Sequence, residues 1–214
     1  IGHWVMQTAM RQLKSWHDGG HNGLSVAINF SAVQFRDPKL AGRILQIMRE
    51  TGLPPSALVT EITETALIQN LETAVQIVSE LTAAGVRVAL DDFGTGYSSL
   101  GYLKRFAIDV VKIDRSFLID FPSHPHDTEI VSAIIAMAHS LGLRVVAEGV
   151  EDDAQLKVLR NLDCDEIQGF LFSRAISREE AGELLANPSR VRRILWANES
   201  LDETHGSGVP SIVG

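Results

Sequence analysis

Six short runs of β-branched and apolar residues, each followed by a helical stretch or a turn, constrain this chain more than any other feature. They are Ser25–Asn29, Leu58–Ile62, Val86–Leu90, Val110–Ile113, Leu143–Ala147 and Glu166–Gln168. Their starts lie 23 to 33 residues apart, the length of a strand plus a crossover, so consecutive strands should run parallel. The intervening helices have legible ends. Asp37 caps one that starts at Pro38, carries Leu40, Ile44, Leu45 and Met48 as its stripe, and stops at Gly52. Asn70 opens a second that ends at Gly85, and Asp127 a third that ends at Gly142. Ser177 with Glu180 forms a capping box ahead of Leu184 and Leu185. Six such units without a break in composition favour a TIM-type α/β barrel over an open sheet, and a closed barrel of that type has about eight strands. The chain opens on a helix, Ile1 to about Trp16, so the first strands are expected upstream of Ile1.

Composition bounds what such a fold can do. The 214 residues are 45% hydrophobic, enough for one core; one domain is expected over 1–194, with a disordered polar tail over 195–214. A net charge of −8 argues against a DNA or RNA partner held by broad electrostatic attraction. It leaves room for a small phosphate ligand, because metal ions can invert the local charge of an acidic pocket. Apolar runs are far shorter than the roughly 20 residues of a membrane span, and the start lacks a signal peptide's order. The single Cys164 allows no internal disulfide and fits a reducing compartment. The expected location is the cytoplasm, or the cytoplasmic face of the membrane if an upstream anchor exists.

The chemistry lies where the strands end. The six runs terminate in or lead into Asn29, Glu61, Asp91-Asp92, Lys112, Glu148 and Gln168, with Glu64, Asp114 and Glu151 close behind. Parallel barrel strands deliver their C-terminal ends to one mouth, the face that carries function. Oxygen donors gathered around one lysine suit a hard cation such as Mg²⁺ or Mn²⁺, and the adjacent Asp91 and Asp92 invite two ions, an arrangement used for in-line displacement at phosphorus. A lone acid at a strand end is more often a helix cap or a solvated loop residue, and Glu64 or Glu151 taken singly reads as surface charge. Solvation gives no reason for acids and amides to recur at every strand end. The segment Asp91-Asp92-Phe93-Gly94-Thr95-Gly96-Tyr97-Ser98-Ser99-Leu100 is the sharpest local signal. Its glycines permit a mobile loop that approaches a ligand closely, and it lacks both the Lys-Ser/Thr ending of a P-loop and the Rossmann spacing. His124 and His126 lie in a proline-stiffened loop with no third ligand.

These segments, with Asn29-Phe30-Ser31, Glu61-Ile62-Thr63-Glu64, Val111-Lys112-Ile113-Asp114, Ala147-Glu148-Gly149-Val150-Glu151 and Gln168-Gly169-Phe170-Leu171-Phe172, resemble the successive signatures of EAL domains. The resemblance runs from Ile1 to about Pro188. It implies a TIM-type barrel that hydrolyses cyclic di-GMP to linear pGpG in bacterial second-messenger signalling, with two Mg²⁺ or Mn²⁺ ions. By that analogy Asn29, Glu61 and Asp91 ligate metal, and Asp92 holds the second ion. Lys112 positions or activates the attacking water, Glu148 is general base or water-orienting acid, and Gln168 supports the site. Glu64 and Glu151 stand behind the ligands, with Glu64 anchoring the loop Asp92–Ser99, which includes Phe93, Gly94, Thr95, Gly96 and Ser98, and tying it to a homodimer contact. The family's namesake Glu-Ala-Leu is not in the sequence, and Ala175 stands where the family usually has Pro. The first departure leaves a ligand outside the chain, so the fragment alone is expected to be impaired. A sensor or GGDEF domain often precedes such domains. The alternative reading is a degenerate member that binds cyclic di-GMP, or mediates an interaction, without cleaving it.

Overall fold

Strands apolar on both sides of the pleat need cover on both faces, and the helices between them supply it on one. The computed structural model describes residues 2–69, 71–95 and 105–187. In them the strands β1 (Val26–Phe30), β2 (Leu58–Thr63), β3 (Arg87–Phe93), β4 (Val110–Ile113), β5 (Arg144–Glu148) and β6 (Glu166–Gln168) form one sheet in sequential order. Every neighbouring pair is parallel, so the described residues form part of a TIM-type barrel. The helices are α1 (Gly2–Asp18), α2 (Leu40–Thr51), α3 (Glu64–Gln69), α4 (Leu71–Ala83), α5 (Pro125–Ser140), α6 (Asp153–Asn161) and α7 (Arg178–Ala186). The main core packs α1, α2 and α4 against β1 to β4 through fully buried Met10, Leu13, Ile44, Leu58, Ile77 and Leu81. A second cluster, built on Ile113, Val131, Ile135, Val145 and Leu159, covers β4 and β5.

The opposite face of the sheet is the barrel interior, and it is layered. Val59, Ala89, Val110 and Val146 form a small apolar cluster of their own, with Ala27 against it. Two residues further along each strand come Asn29, Glu61, Asp91, Lys112 and Glu148. Period-two alternation puts both layers on one face, so the apolar layer carries the polar one at the C-terminal mouth.

Helix starts depart from the expectation in two places. The turn around Pro38 precedes α2, which is regular only from Leu40; Asp37 stabilises that turn by accepting the Lys39 N–H at 2.9 Å. The helix expected to open at Asp127 begins at Pro125, with His124 in the N-cap position, because proline's fixed φ suits the first helical residue. His124 and His126 thus sit at a helix start rather than in a free loop. The Ser177–Glu180 capping box is present. Asn70, Gly96, Ser98 and the tail 195–214 lie outside the described residues.

Candidate metal centre at the strand ends

Register brings the strand-end residues together. Asn29 pairs with Glu61 across β1 and β2, Thr63 with Asp91 across β2 and β3, and Glu148 with Gln168 across β5 and β6. Asn29 Nδ2 donates to Glu61 Oε2 at 2.9 Å. Lys112, only 3% exposed, stands at the centre: its Nζ lies 2.9 Å from Glu61 Oε1, 3.1 Å from Asp91 Oδ1 and 2.6 Å from Glu148 Oε1. Burial works to lower the Lys112 pKa, but the charges and hydrogen bonds of Glu61 and Glu148 outweigh it and hold the ammonium above its ordinary range. Burial pushes the Glu148 carboxyl up; Lys112 opposes this, and Asp91 and Glu61 add to it.

Adjacent strand residues ordinarily point to opposite faces, which would send Asp92 away from Asp91. The β3–β4 register shifts between Leu90 and Phe93, and Asp92 adopts φ 56°, a left-handed backbone that costs a non-glycine residue about 1–2 kcal/mol. The irregularity turns Asp92 back, so that Asp91, Asp92 and Glu148 each offer a carboxylate oxygen within 4.8 Å of the others. Burial pushes Asp92 up, as do Asp91 and Asp114, against the pull of Lys112. Four carboxylates around one ammonium leave an excess of negative charge in a half-buried place. Gln168 Oε1 is buried and accepts no hydrogen bond among the described residues. An all-oxygen donor set with surplus negative charge fits a hard divalent cation.

The remaining expected residues are placed less centrally. Phe93 is buried under the loop start, Gly94 follows it with φ 93°, and the Thr95 hydroxyl donates to Asp92 O at 2.8 Å. Glu64 is the first residue of α3. Glu151 is exposed and gives its backbone N–H to Gln155 Oε1 at 2.6 Å. Sequence reasoning missed Gln155 itself, 5% exposed and bonded to two loops. The available signal was an Asp152-x-x-Gln155 box ahead of Leu156.

Among the described residues no helix is long and apolar enough to cross a membrane. Residues 1–175 match the family model described as the EAL domain; the chain belongs to that family. It is 46% identical over 191 residues to the signaling protein YkoW of Bacillus subtilis, covering 89% of this chain and 24% of that protein. It is 42% identical over 180 residues to the bifunctional diguanylate cyclase/cyclic di-GMP phosphodiesterase MucR of Pseudomonas aeruginosa, covering 84% of this chain and 26% of that protein. The solved structure described as the PaMucR phosphodiesterase in complex with c-di-GMP superposes with a TM-score of 0.81 at 42% identity, over 85% of this chain and 73% of that one. The chain spans about a quarter of the length of these curated relatives.

Proposed function

We propose that the protein is a metal-dependent phosphodiesterase that opens cyclic di-GMP to linear pGpG. The observation that carries this reading is the buried Lys112 ammonium held by Glu61, Asp91 and Glu148, with Asp92 turned in beside them. Membership of the EAL family and the phosphodiesterase activity for which MucR is named support it.

Asn29, Glu61, Asp91 and Asp92 would hold Mg²⁺ or Mn²⁺, two ions being favoured by the adjacent aspartates. The ions, when bound, make water a stronger nucleophile at neutral pH and neutralise charge on the phosphate. Everything else falls to the chain. The Lys112 bond to Glu148 Oε1 at 2.6 Å fixes that carboxylate and leaves Oε2 to take the water proton. Burial pushes the Glu148 carboxyl up from its ordinary value in the metal-free protein, the direction that suits a general base. Gln168 Oε1, which accepts no hydrogen bond among the described residues, is available to accept one from the water and orient it. The water oxygen bonds to phosphorus as the bond to the ribose 3′ oxygen breaks, and that oxygen leaves opposite the attack and is protonated.

The test is chromatographic detection of pGpG from cyclic di-GMP with Mg²⁺ or Mn²⁺, repeated in excess EDTA. Cleavage that stops on chelation and returns with Mn²⁺ is expected, at a reduced rate where these 214 residues are assayed alone. Cleavage undiminished in EDTA overturns the metal mechanism, and tight binding with no cleavage replaces the enzyme by the sensor reading. The homodimer implied by the resemblance belongs to the same proposal and is read from the mass in solution.

A further inference from the structure

We propose that Gln155 is a positioning residue that ties the loops after β4 and β5 into one bracket and thereby sets the spacing of the Asp91, Asp92 and Glu148 carboxylates. The proposal rests on reading Asp91 and Asp92 as metal ligands with Glu148 beside them as the base.

Gln155 does more than cap α6. The cap needs its Oε1, which accepts the Glu151 N–H at 2.6 Å and the Asp152 N–H at 3.3 Å, and the Asp152 side chain, which accepts the Gln155 N–H at 2.8 Å. Its Nε2 then donates to Leu118 O at 2.7 Å, a buried bond across a separation of 37 residues. Leu118 closes the 3₁₀ turn Arg115–Phe117 that follows β4, and the Asp114 side chain caps the other end of that turn by accepting the Ser116 N–H at 3.0 Å.

That turn lies flush against both neighbouring strand-end loops. A Cβ on Gly149, the residue after Glu148, would stand 2.6 Å from Arg115 Cβ. A Cβ on Gly94, two residues after Asp92, would stand 2.9 Å from the Phe117 ring. Only glycine lets the turn approach this closely on both sides. Lys112 stands two residues before Asp114, at the head of the same segment. The Gln155–Leu118 bond therefore links the segment after Glu148 to the piece of chain against which the Asp91-Asp92 loop is seated. Reacting and ligating groups are sensitive to displacements of about an ångström, and a bond at this joint governs displacements of that size.

Three variants separate bracket from cap. Gln155→Glu keeps an oxygen for the Glu151 and Asp152 N–H groups but removes the donor to Leu118 O. Gln155→Met removes both. Asp152→Ala weakens the cap and leaves the bracket. The Mn²⁺ binding midpoint of substrate-free protein, kcat and KM for cyclic di-GMP, and the thermal midpoint are measured for each. Gln155→Glu and Gln155→Met are expected to raise the Mn²⁺ midpoint about tenfold and lower kcat at least about tenfold, with KM within about twofold. Asp152→Ala is expected to lower the thermal midpoint while the Mn²⁺ midpoint and kcat stay within about twofold of wild type. Folded Gln155→Glu with wild-type Mn²⁺ binding overturns the proposal, as does an Asp152→Ala variant that reproduces its losses. If Gln155→Met does not fold, Gln155→Glu, which keeps the cap, decides. If the wild-type protein does not cleave cyclic di-GMP, the proposed function fails, while the Mn²⁺ midpoints still decide the bracket.

Discussion

The two ends of the barrel interior are both charged, and they are charged differently. At the C-terminal mouth one ammonium, Lys112, meets Glu61, Asp91 and Glu148 within 3.1 Å, with Asp92 alongside. At the N-terminal end Arg87, Arg144 and Glu166 share a face with the apolar layer, since they register with Val59, Val110 and Val146. Here the signs balance. Arg144 Nη1 lies 2.8 Å from Glu166 Oε1, an ion pair without hydrogen-bond geometry, and Asp109 accepts the Val88 N–H at 2.8 Å. Burial and Arg144 pull the Arg87 pKa down while Glu166 and Asp109 push it back. A balanced set needs no further ion, although Arg87 Nε and Glu166 Oε1 have no hydrogen-bond partner among the described residues. The surplus of carboxylates at the mouth is tolerable because a cation can complete it.

The sharpest way to break this contrast is Lys112→Met. It leaves three largely buried carboxylates without their common counter-charge, and should cost about 3–5 kcal/mol in metal-free urea unfolding as well as abolish cleavage. Unchanged unfolding would show that the mouth does not depend on its ammonium. Next in size is the division of labour within the mouth. Glu148→Gln should lower turnover about 10²–10⁴-fold, with the Mn²⁺ midpoint shifted less than by Asp91→Asn; equal metal effects would make Glu148 an ordinary ligand. At the other end, Glu166→Gln should cost only about 1–2 kcal/mol, because its partner Arg144 is 40% exposed and its charge is screened. Turnover should not change, and a large loss would show that the two ends are coupled.

The smallest effect concerns Cys164, beside the N-terminal layer. Burial pushes its thiol from 9.0 up to about 12, and Sγ donates to Glu166 O at 3.3 Å. The folded state keeps a proton that the unfolded chain releases. Stability is therefore undiminished below about pH 9 and declines as pH rises from there towards about 12. At pH 8 the folded protein should resist a disulfide-exchange reagent that labels it at once in denaturant; rapid labelling of folded protein would contradict the burial.

Much of this molecule was legible in one dimension. β4 and β6 fall on their expected residues, and the other strands shift by one residue at the start or extend by one to three at the end. The reason is local: β-branched runs, glycine stops and the Ser177–Glu180 box act through near neighbours. The residues that gather at the mouth were legible too, since a parallel strand followed by a helix must present its C-terminal end there. Sequence did not reveal which of them touch. That Lys112 serves three carboxylates depends on the register among β2, β3, β4 and β5, set by the fit of the interior layers rather than by any one strand. That Asp92 joins Asp91 depends on the register shift and φ 56°, where alternation predicts the opposite face. The Arg144–Glu166 pair and the Gln155–Leu118 bond join residues that lie on different βα units. Local propensity selects each element alone; only tertiary packing selects the distances between elements, and the charges at both ends of the barrel act through those distances.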